Sequence, residues 1–405
     1  MKSGVMIVGP SLLETGTSRG GGAEVTDFRI GVELSKSREV VILSPFLGNF
    51  NTETQIRPRL RVRHLPIPAL ANPQPQGMLD MTFLALFLCI SSLVTAMYIL
   101  ALKSKGYGLL IVHNPISGLV PTLAFLAAGG RVIYSEGNTI PWIDPYIRPV
   151  RLSGVQRCWR VVYRAFCIAL ALVSNRVRAQ SASIRDGMVK FHIDGRKIKV
   201  IPAGVDLDEF APPPMWDDGS PYMHVGFIGR LVAEKGAELL LELVSKAEHE
   251  LPETRFLIFG DGPFENEFRD LPNVEHLGRV SRDRLNNSMA KALLIVSFQK
   301  EFGRGEIEAM AAGKVVIAAA VGETPNIITH LVNGILCRPA AASYVTAIRS
   351  AIERRQTLGE LGQAARRTAA DTYAWERIGR EWSALCRESF SSRIPPNTAG
   401  TTASS

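Results

Sequence analysis

The stretch Ala211-Pro-Pro-Pro-Met-Trp-Asp-Asp-Gly-Ser-Pro221 separates two segments of the chain that follow one plan. Before it, short β-branched runs at 4–9, 40–44, 109–113, 131–135 and 199–202 are separated by helix-length segments. After it the alternation restarts, with runs at 225–229, 255–260, 293–297 and 315–318. Strands alternating with helices predict a parallel sheet covered by helices, because parallel neighbours need a long crossover that a helix supplies. At 405 residues the chain exceeds one core and suits two such domains. Its 46% hydrophobic and 21% charged residues exclude a disordered, collagen-like or coiled-coil bulk. A further helical stretch covers 375–390, and 391–405, rich in Pro, Ser and Thr, reads as a disordered tail.

Charge divides unevenly between the halves. Residues 1–190 hold 21 Lys and Arg against 10 Asp and Glu, whereas 191–405 hold 25 against 28. A basic half attracts anionic lipid, anionic substrates or nucleic acid, and no aromatic-interleaved patch or reading motif supports the last. The alternating stretch Arg57-Pro-Arg-Leu-Arg-Val-Arg63 reads as an edge strand with a solvated face. The five cysteines show neither paired spacing nor accompanying histidines, so no disulfide framework or zinc site is signalled and a reducing compartment is expected. The apolar run at 5–8 is too short for a signal-peptide core.

Residues 81–102 contain no charge and are long enough to span a bilayer. Crossing would put the run at 109–113 on the opposite side from the first strands, which one sheet cannot tolerate. A helix buried by protein and a helix lying at a membrane surface both fit, and the basic residues nearby favour the second.

Three segments carry chemistry. In Phe227-Ile-Gly-Arg-Leu-Val-Ala-Glu-Lys-Gly236 a strand ends in glycine, and Arg230 and Lys235 lie on the loop into the next helix, an arrangement that suits a phosphate or diphosphate. Leu257-Ile-Phe-Gly-Asp-Gly-Pro263 is a strand ending in a tight glycine turn. Phe302-Gly-Arg-Gly-Glu-Ile-Glu-Ala-Met-Ala-Ala-Gly313 is a loop feeding a short helix. There Glu308 either favours the helix dipole or accepts hydrogen bonds from a ribose.

In this order, and with Val200-Ile-Pro-Ala-Gly-Val-Asp206 ahead of them, these segments resemble the family-4 retaining glycosyltransferases, most strongly over 198–340. In the N-terminal half, Gly20-Gly-Gly-Ala-Glu24 resembles the family's glycine-rich loop, Val112-His-Asn-Pro115 its histidine loop, and Tyr134-Ser-Glu-Gly-Asn138 a strand end on the acceptor side. The resemblance implies an α/β GT-B fold, two Rossmann-like domains with a deep inter-domain cleft. An acceptor-side domain would cover 1–206, a nucleotide-sugar domain 207–373, and a helix at 374–390 would cross back to the first.

It also implies roles. Arg230 and Lys235 hold the diphosphate, Glu308 the ribose, and Gly303 belongs to the same nucleotide site. Gly21 and Gly22 let backbone N–H groups approach the donor, and His113 bonds the sugar. Glu136 and Asn138 line the acceptor side. Neither a metal nor a cofactor is implied, because cations and helix N-termini stabilise the leaving diphosphate.

Two positions depart from the pattern. Lys300 stands where the family has a glutamate for the sugar hydroxyls, with Glu301 beside it, and Val321-Gly-Glu-Thr-Pro-Asn326 ends in asparagine instead of glutamate. Either Glu301 supplies the missing acceptor or Lys300 holds a carboxylate-bearing sugar.

The expectation is a metal-independent hexosyltransferase that uses a nucleotide sugar and retains configuration. It would act on a glycan or lipid-linked acceptor hydroxyl, from the cytoplasmic face of a membrane. The alternatives are a nucleotide-sugar epimerase, a phosphorylase of the same fold, or a non-catalytic partner subunit.

Overall fold

The computed structural model describes residues 4–9, 22–46, 53–68, 78–144, 146–148, 150, 153–213 and 219–390. The chain divides into two compact units, one of Met1–Ile143, Leu152–Pro202 and Ile378–Ser405, the other of Asp144–Arg151 and Ala203–Arg377.

The first unit runs β1 (Gly4–Val8), α1 (Gly22–Ser35), β2 (Val40–Phe46), β3 (Glu53–Arg57), β4 (Leu60–Pro68), α2 (Met78–Ser104), β5 (Tyr107–Val112), α3 (Pro115–Ala127), β6 (Arg131–Glu136), α4 (Gly154–Val173), β7 (Arg176–Ala179), α5 (Ala182–Lys190) and β8 (Ile198–Val200). Its sheet is ordered β3-β4-β2-β1-β5-β6-β7-β8, parallel except for the β3–β4 hairpin. Every residue of β1 is buried, as expected of a central strand covered on both faces. Val5 pairs with Val40 on one side and Leu109 on the other. The strand order therefore reverses between β1 and β5, and ligands of open α/β sheets bind beyond the strand ends at such a point.

The stretch read as one edge strand instead spans a hairpin turn, with the end of one strand before it and the start of another after it. Arg57 closes β3, Leu60 opens β4, and β4 lies inside the sheet between β3 and β2. The alternation itself sorts as its period demands: Leu60 and Val62 are fully buried, while Arg61 pairs with Glu53 at 3.0 Å and donates to the Tyr107 hydroxyl at 2.9 Å. In β7, Arg178 is buried, its Nε donating to the Ile201 carbonyl at 2.6 Å. Burial pulls its pKa down to about 10 against the opposing pull of Asp27 and Glu136.

Residues 81–102 lie in α2, which packs against α3, β4 and β5. Ser92, Thr95, Ala96, Ile99 and Leu102 are buried, whereas Ile90, Leu93, Met97 and Leu100 are exposed, Met97 to 71%. Their spacing of three and four residues puts the exposed set on one stripe of the helix. Among the described residues, no helix is long and apolar enough to cross a membrane.

The second unit runs β9 (Met223–Ile228), α6 (Ala237–Glu250), β10 (Thr254–Phe259), β11 (Val274–Gly278), α7 (Arg282–Ser288), β12 (Leu294–Ser297), α8 (Arg304–Ala311), β13 (Val315–Ala319), α9 (Thr324–Ile327), β14 (Ile335–Cys337), α10 (Ala341–Glu353) and α11 (Leu358–Tyr373). Its sheet, β11-β10-β9-β12-β13-β14, is wholly parallel and reverses order between β9 and β12. A core of Val225, Leu240, Leu243, Phe256, Ile258, Leu294 and Ile348 fills one side of it. α12 (Trp375–Glu388) follows, and from Ile378 its residues cluster with the first unit, where Trp382 is fully buried and the Arg178 guanidinium lies 5.9 Å from its ring centre. The stretch expected to be a disordered tail, 391–405, lies outside the described residues.

Candidate functional site

The residues singled out in the second unit gather at the switch point between β9 and β12. β9 delivers the chain to Gly229, whose φ of 152° favours a residue without a Cβ. The turn is tight: a Cβ on Gly260, at the end of β10, would lie 1.8 Å from the Gly229 carbonyl oxygen. Arg230 follows and is exposed, and a short 3-10 turn, Ala233–Lys235, leads into α6 through Gly236, which is left-handed at φ 77°.

β12 ends at Ser297 and the chain continues through Gln299, Lys300 and Glu301 to Gly303, where α8 begins. α6 and α8 thus both start from a glycine, a cap residue that offers no side chain to the first-turn N–H groups. Glu308, on α8, is buried.

Lys235 is held from below. Its Nζ donates to Gln299 Oε1, Gln299 Nε2 donates to Glu306 Oε1, and Ser297 Oγ donates to the same oxygen at 2.6 Å. Glu306 and Gln299 are buried. Burial lowers the Lys235 pKa, while Glu306 pulls it back up, Arg230 lowers it, and Glu234 and Glu301 raise it. These four groups include Arg230, expected on the diphosphate with Lys235, and Glu301, expected beside Lys300 at the sugar.

Lys300 faces Asp144, 3.9 Å from its Oδ2. Asp144 opens the segment Asp144–Arg151, which belongs to this unit although it comes from the N-terminal half of the sequence. Tyr146 of the segment donates to Glu234 at 3.4 Å, and Arg148 grips both carboxylate oxygens of Glu242. The Lys300 carbonyl accepts from Glu323 N at 2.8 Å, and Gly322, at φ 59°, leaves room for that carbonyl: a Cβ there would lie 2.0 Å from it.

In the first unit, His113 follows β5 at that unit's own switch point, its Nε2 2.7 Å from Oδ1 of Asp27 on α1. Asn114 caps α3, its Oδ1 accepting from Ile116 N at 3.0 Å, which fixes the chain just after the histidine. The Glu136 carboxylate accepts from the Tyr134 hydroxyl, from Asn138 N at 2.7 Å and from Trp142 Nε1 at 2.9 Å. Burial raises the pKa of this carboxyl and the three hydrogen bonds oppose the rise. The Asn138 side chain accepts from Ile140 N at 3.1 Å, so Glu136 and Asn138, both expected on the acceptor side, brace the loop after β6. Gly22 opens α1, and Gly21 lies outside the described residues.

Sequence reasoning missed Asp27, Gln299 and Glu306. Glu306 carried a signal: an acidic residue two positions before Glu308, on a short helix whose neighbours Ile307, Ala309 and Met310 are apolar.

Two family models match the chain: Glycosyltransferase Family 4 over residues 20–209 and Glycosyl transferases group 1 over 219–368. Among curated relatives, the phosphatidylinositol N-acetylglucosaminyltransferase gpi3 subunit of Schizosaccharomyces pombe is 24% identical over 229 residues, 53% of this chain and 50% of that protein. A phosphatidylinositol N-acetylglucosaminyltransferase subunit of Homo sapiens is 21% identical over 79% of this chain and 63% of its own length. The chain thus spans about half to under two thirds of these relatives. Among solved structures, sucrose-phosphate synthase from Thermosynechococcus elongatus superposes with a TM-score of 0.75 at 18% identity, over 96% of this chain and 99% of that one. HepE from Anabaena, in complex with UDP and glucose, gives 0.68 at 18% identity, over 95% and 99%. These likenesses carry the fold, and the two family models, which divide within the Pro-rich region, carry the family: the chain belongs to the group 1 glycosyl transferases, of the family 4 type, on a GT-B fold.

Proposed function

We propose that this protein transfers a hexose from a nucleotide-diphosphate sugar to an acceptor hydroxyl, with retention of configuration and without a metal ion. The observation that carries the proposal is the pairing of Arg230 and Lys235 with the glycine start of α6 at the β9–β12 switch point. Charge develops on the diphosphate as the bond to the sugar breaks. Cations and N–H groups already oriented there stabilise that charge without reorganising. Glu308 is assigned to the ribose, Gly303 to the backbone of the same site, and His113 to a sugar hydroxyl, each carried over from the family pattern.

We assign the acceptor to a lipid-linked or membrane-surface glycan, and the protein to the cytoplasmic face of that membrane. Three things support this: the basic excess of residues 1–190, the exposed apolar stripe on α2, and relatives whose names place them on phosphatidylinositol. Product formation from radiolabelled nucleotide sugars, offered with lipid and glycan acceptors, tests the activity.

A second reading, that of a non-catalytic partner, is favoured by one observation. Lys300 replaces the family's carboxylate and turns toward Asp144. Nucleotide-sugar binding without turnover on any acceptor separates it from the first.

A further inference from the structure

The family pattern has no role for Glu306, yet its carboxylate is almost fully buried, 3% exposed, and joined to Lys235 through one side chain. A carboxylate can only accept hydrogen bonds and an ammonium can only donate, so the amide between them has one orientation that satisfies both. Gln299 takes it, its NH2 toward Glu306 and its carbonyl toward Lys235. Ser297 Oγ, donating at 2.6 Å, holds the carboxylate from the end of β12. Glu306 Oε2 has no hydrogen-bond partner among the described residues, and it lies 3.0 Å from where a Cβ on Gly303 would stand, so glycine at the start of α8 also makes room for this carboxylate.

We infer that Glu306 is a positioning residue, which acts through Gln299 to hold and orient the Lys235 ammonium at the β9–β12 switch point. The purpose of that ammonium, stabilising a leaving diphosphate, rests on the function proposed above; the relay does not. The arrangement is an ion pair bridged by an amide, in which the carboxylate is buried, the ammonium half-buried, and each keeps a hydrogen bond. The charged groups facing Lys235 are Glu306, Arg230, Glu234 and Glu301. Removing Glu306 leaves the half-buried ammonium beside Arg230 with less negative charge to oppose the cost of its partial burial, so the amine loses its proton more readily.

Amine labelling of the full-length protein at pH 8, read peptide by peptide by mass spectrometry, tests this without requiring activity. The exposed Lys246 serves as the reference. In Glu306→Gln, Lys235 should label at least about threefold faster relative to Lys246, because its neutral fraction rises. Gln299→Leu, which breaks the bridge and leaves Glu306 in place, should move Lys235 the same way, and Glu306→Asp should restore part of the wild-type rate. Unchanged Lys235 labelling in both folded variants overturns the relay. UDP is the probe for the reading beneath it. Faster labelling with weakened UDP binding supports both; faster labelling with unchanged UDP binding supports the relay and removes the diphosphate from it.

Discussion

His113 Nε2 stands 2.7 Å from Oδ1 of Asp27, a carboxylate with no exposed surface. The two residues come from elements 86 positions apart in sequence, α1 and the loop after β5, that meet only because β1 and β5 pair. Asp27 also offsets the buried Arg178 guanidinium. Asp27→Ala therefore removes the charge that both His113 and Arg178 face. We expect a loss of about 3–5 kcal/mol, the range for breaking a buried pair, measured by denaturant unfolding. A loss below about 1 kcal/mol contradicts the assignment.

Glu136 gives a pH signature. Burial holds its folded pKa above the ordinary carboxyl value of 4.5. Its contribution to stability is thus fully present below the unfolded pKa and is lost as pH rises through the folded one. Wild-type stability should fall relative to Glu136→Gln as pH increases from about 4.5 upward. Unfolding curves for both proteins between about pH 4 and 8 read this directly, and parallel pH profiles would show that Glu136 does not titrate in that window.

Lys300 and Asp144 are 3.9 Å apart and partly exposed, so Asp144→Asn should change stability by under about 1 kcal/mol. The same lysine discriminates between donors. If the donor sugar carries a carboxylate, Lys300→Glu should abolish its use by like-charge repulsion; if Glu301 supplies the missing acceptor, Glu301→Gln is the damaging change. Both variants are assayed against neutral and acidic nucleotide sugars. Full activity of both on every accepted donor removes these two residues from the sugar site.

The architecture was readable because strands of parallel sheets are continuous apolar runs, and the buried β1, β5, β9 and β12 announce themselves as such. The hairpin at Arg57–Leu60 was not, since alternation shows which residues face inward but does not mark where a strand reverses. β7 escaped notice because Arg176 and Arg178 look like a solvated face, whereas both are buried and Arg178 lies by the Trp382 ring with Asp27 offsetting its charge. Lys235 was visible as a cation after a strand. Its support from Gln299 and Glu306 was invisible, because those residues lie more than sixty positions away and meet it only across the β9–β12 pairing.

The α2 stripe predicts membrane attachment. The protein should co-float with anionic liposomes, more weakly as salt is raised, and Leu93→Glu with Met97→Glu should reduce flotation by removing apolar contact. Equal flotation of variant and wild type assigns attachment to another surface.

The proposed transfer rests on the stabilisation of a diphosphate leaving group by Arg230 and Lys235. Its most direct test is the rate of nucleotide-diphosphate release from a bound nucleotide sugar in the presence of acceptor, measured in wild type, Arg230→Ala and Lys235→Ala. Acceptor-dependent release is expected from the wild type, with a loss in each variant of about 2–4 kcal/mol of transition-state stabilisation, the size of losing one strong oxyanion donor. Wild-type release rates in either variant, with donor binding intact, would contradict it.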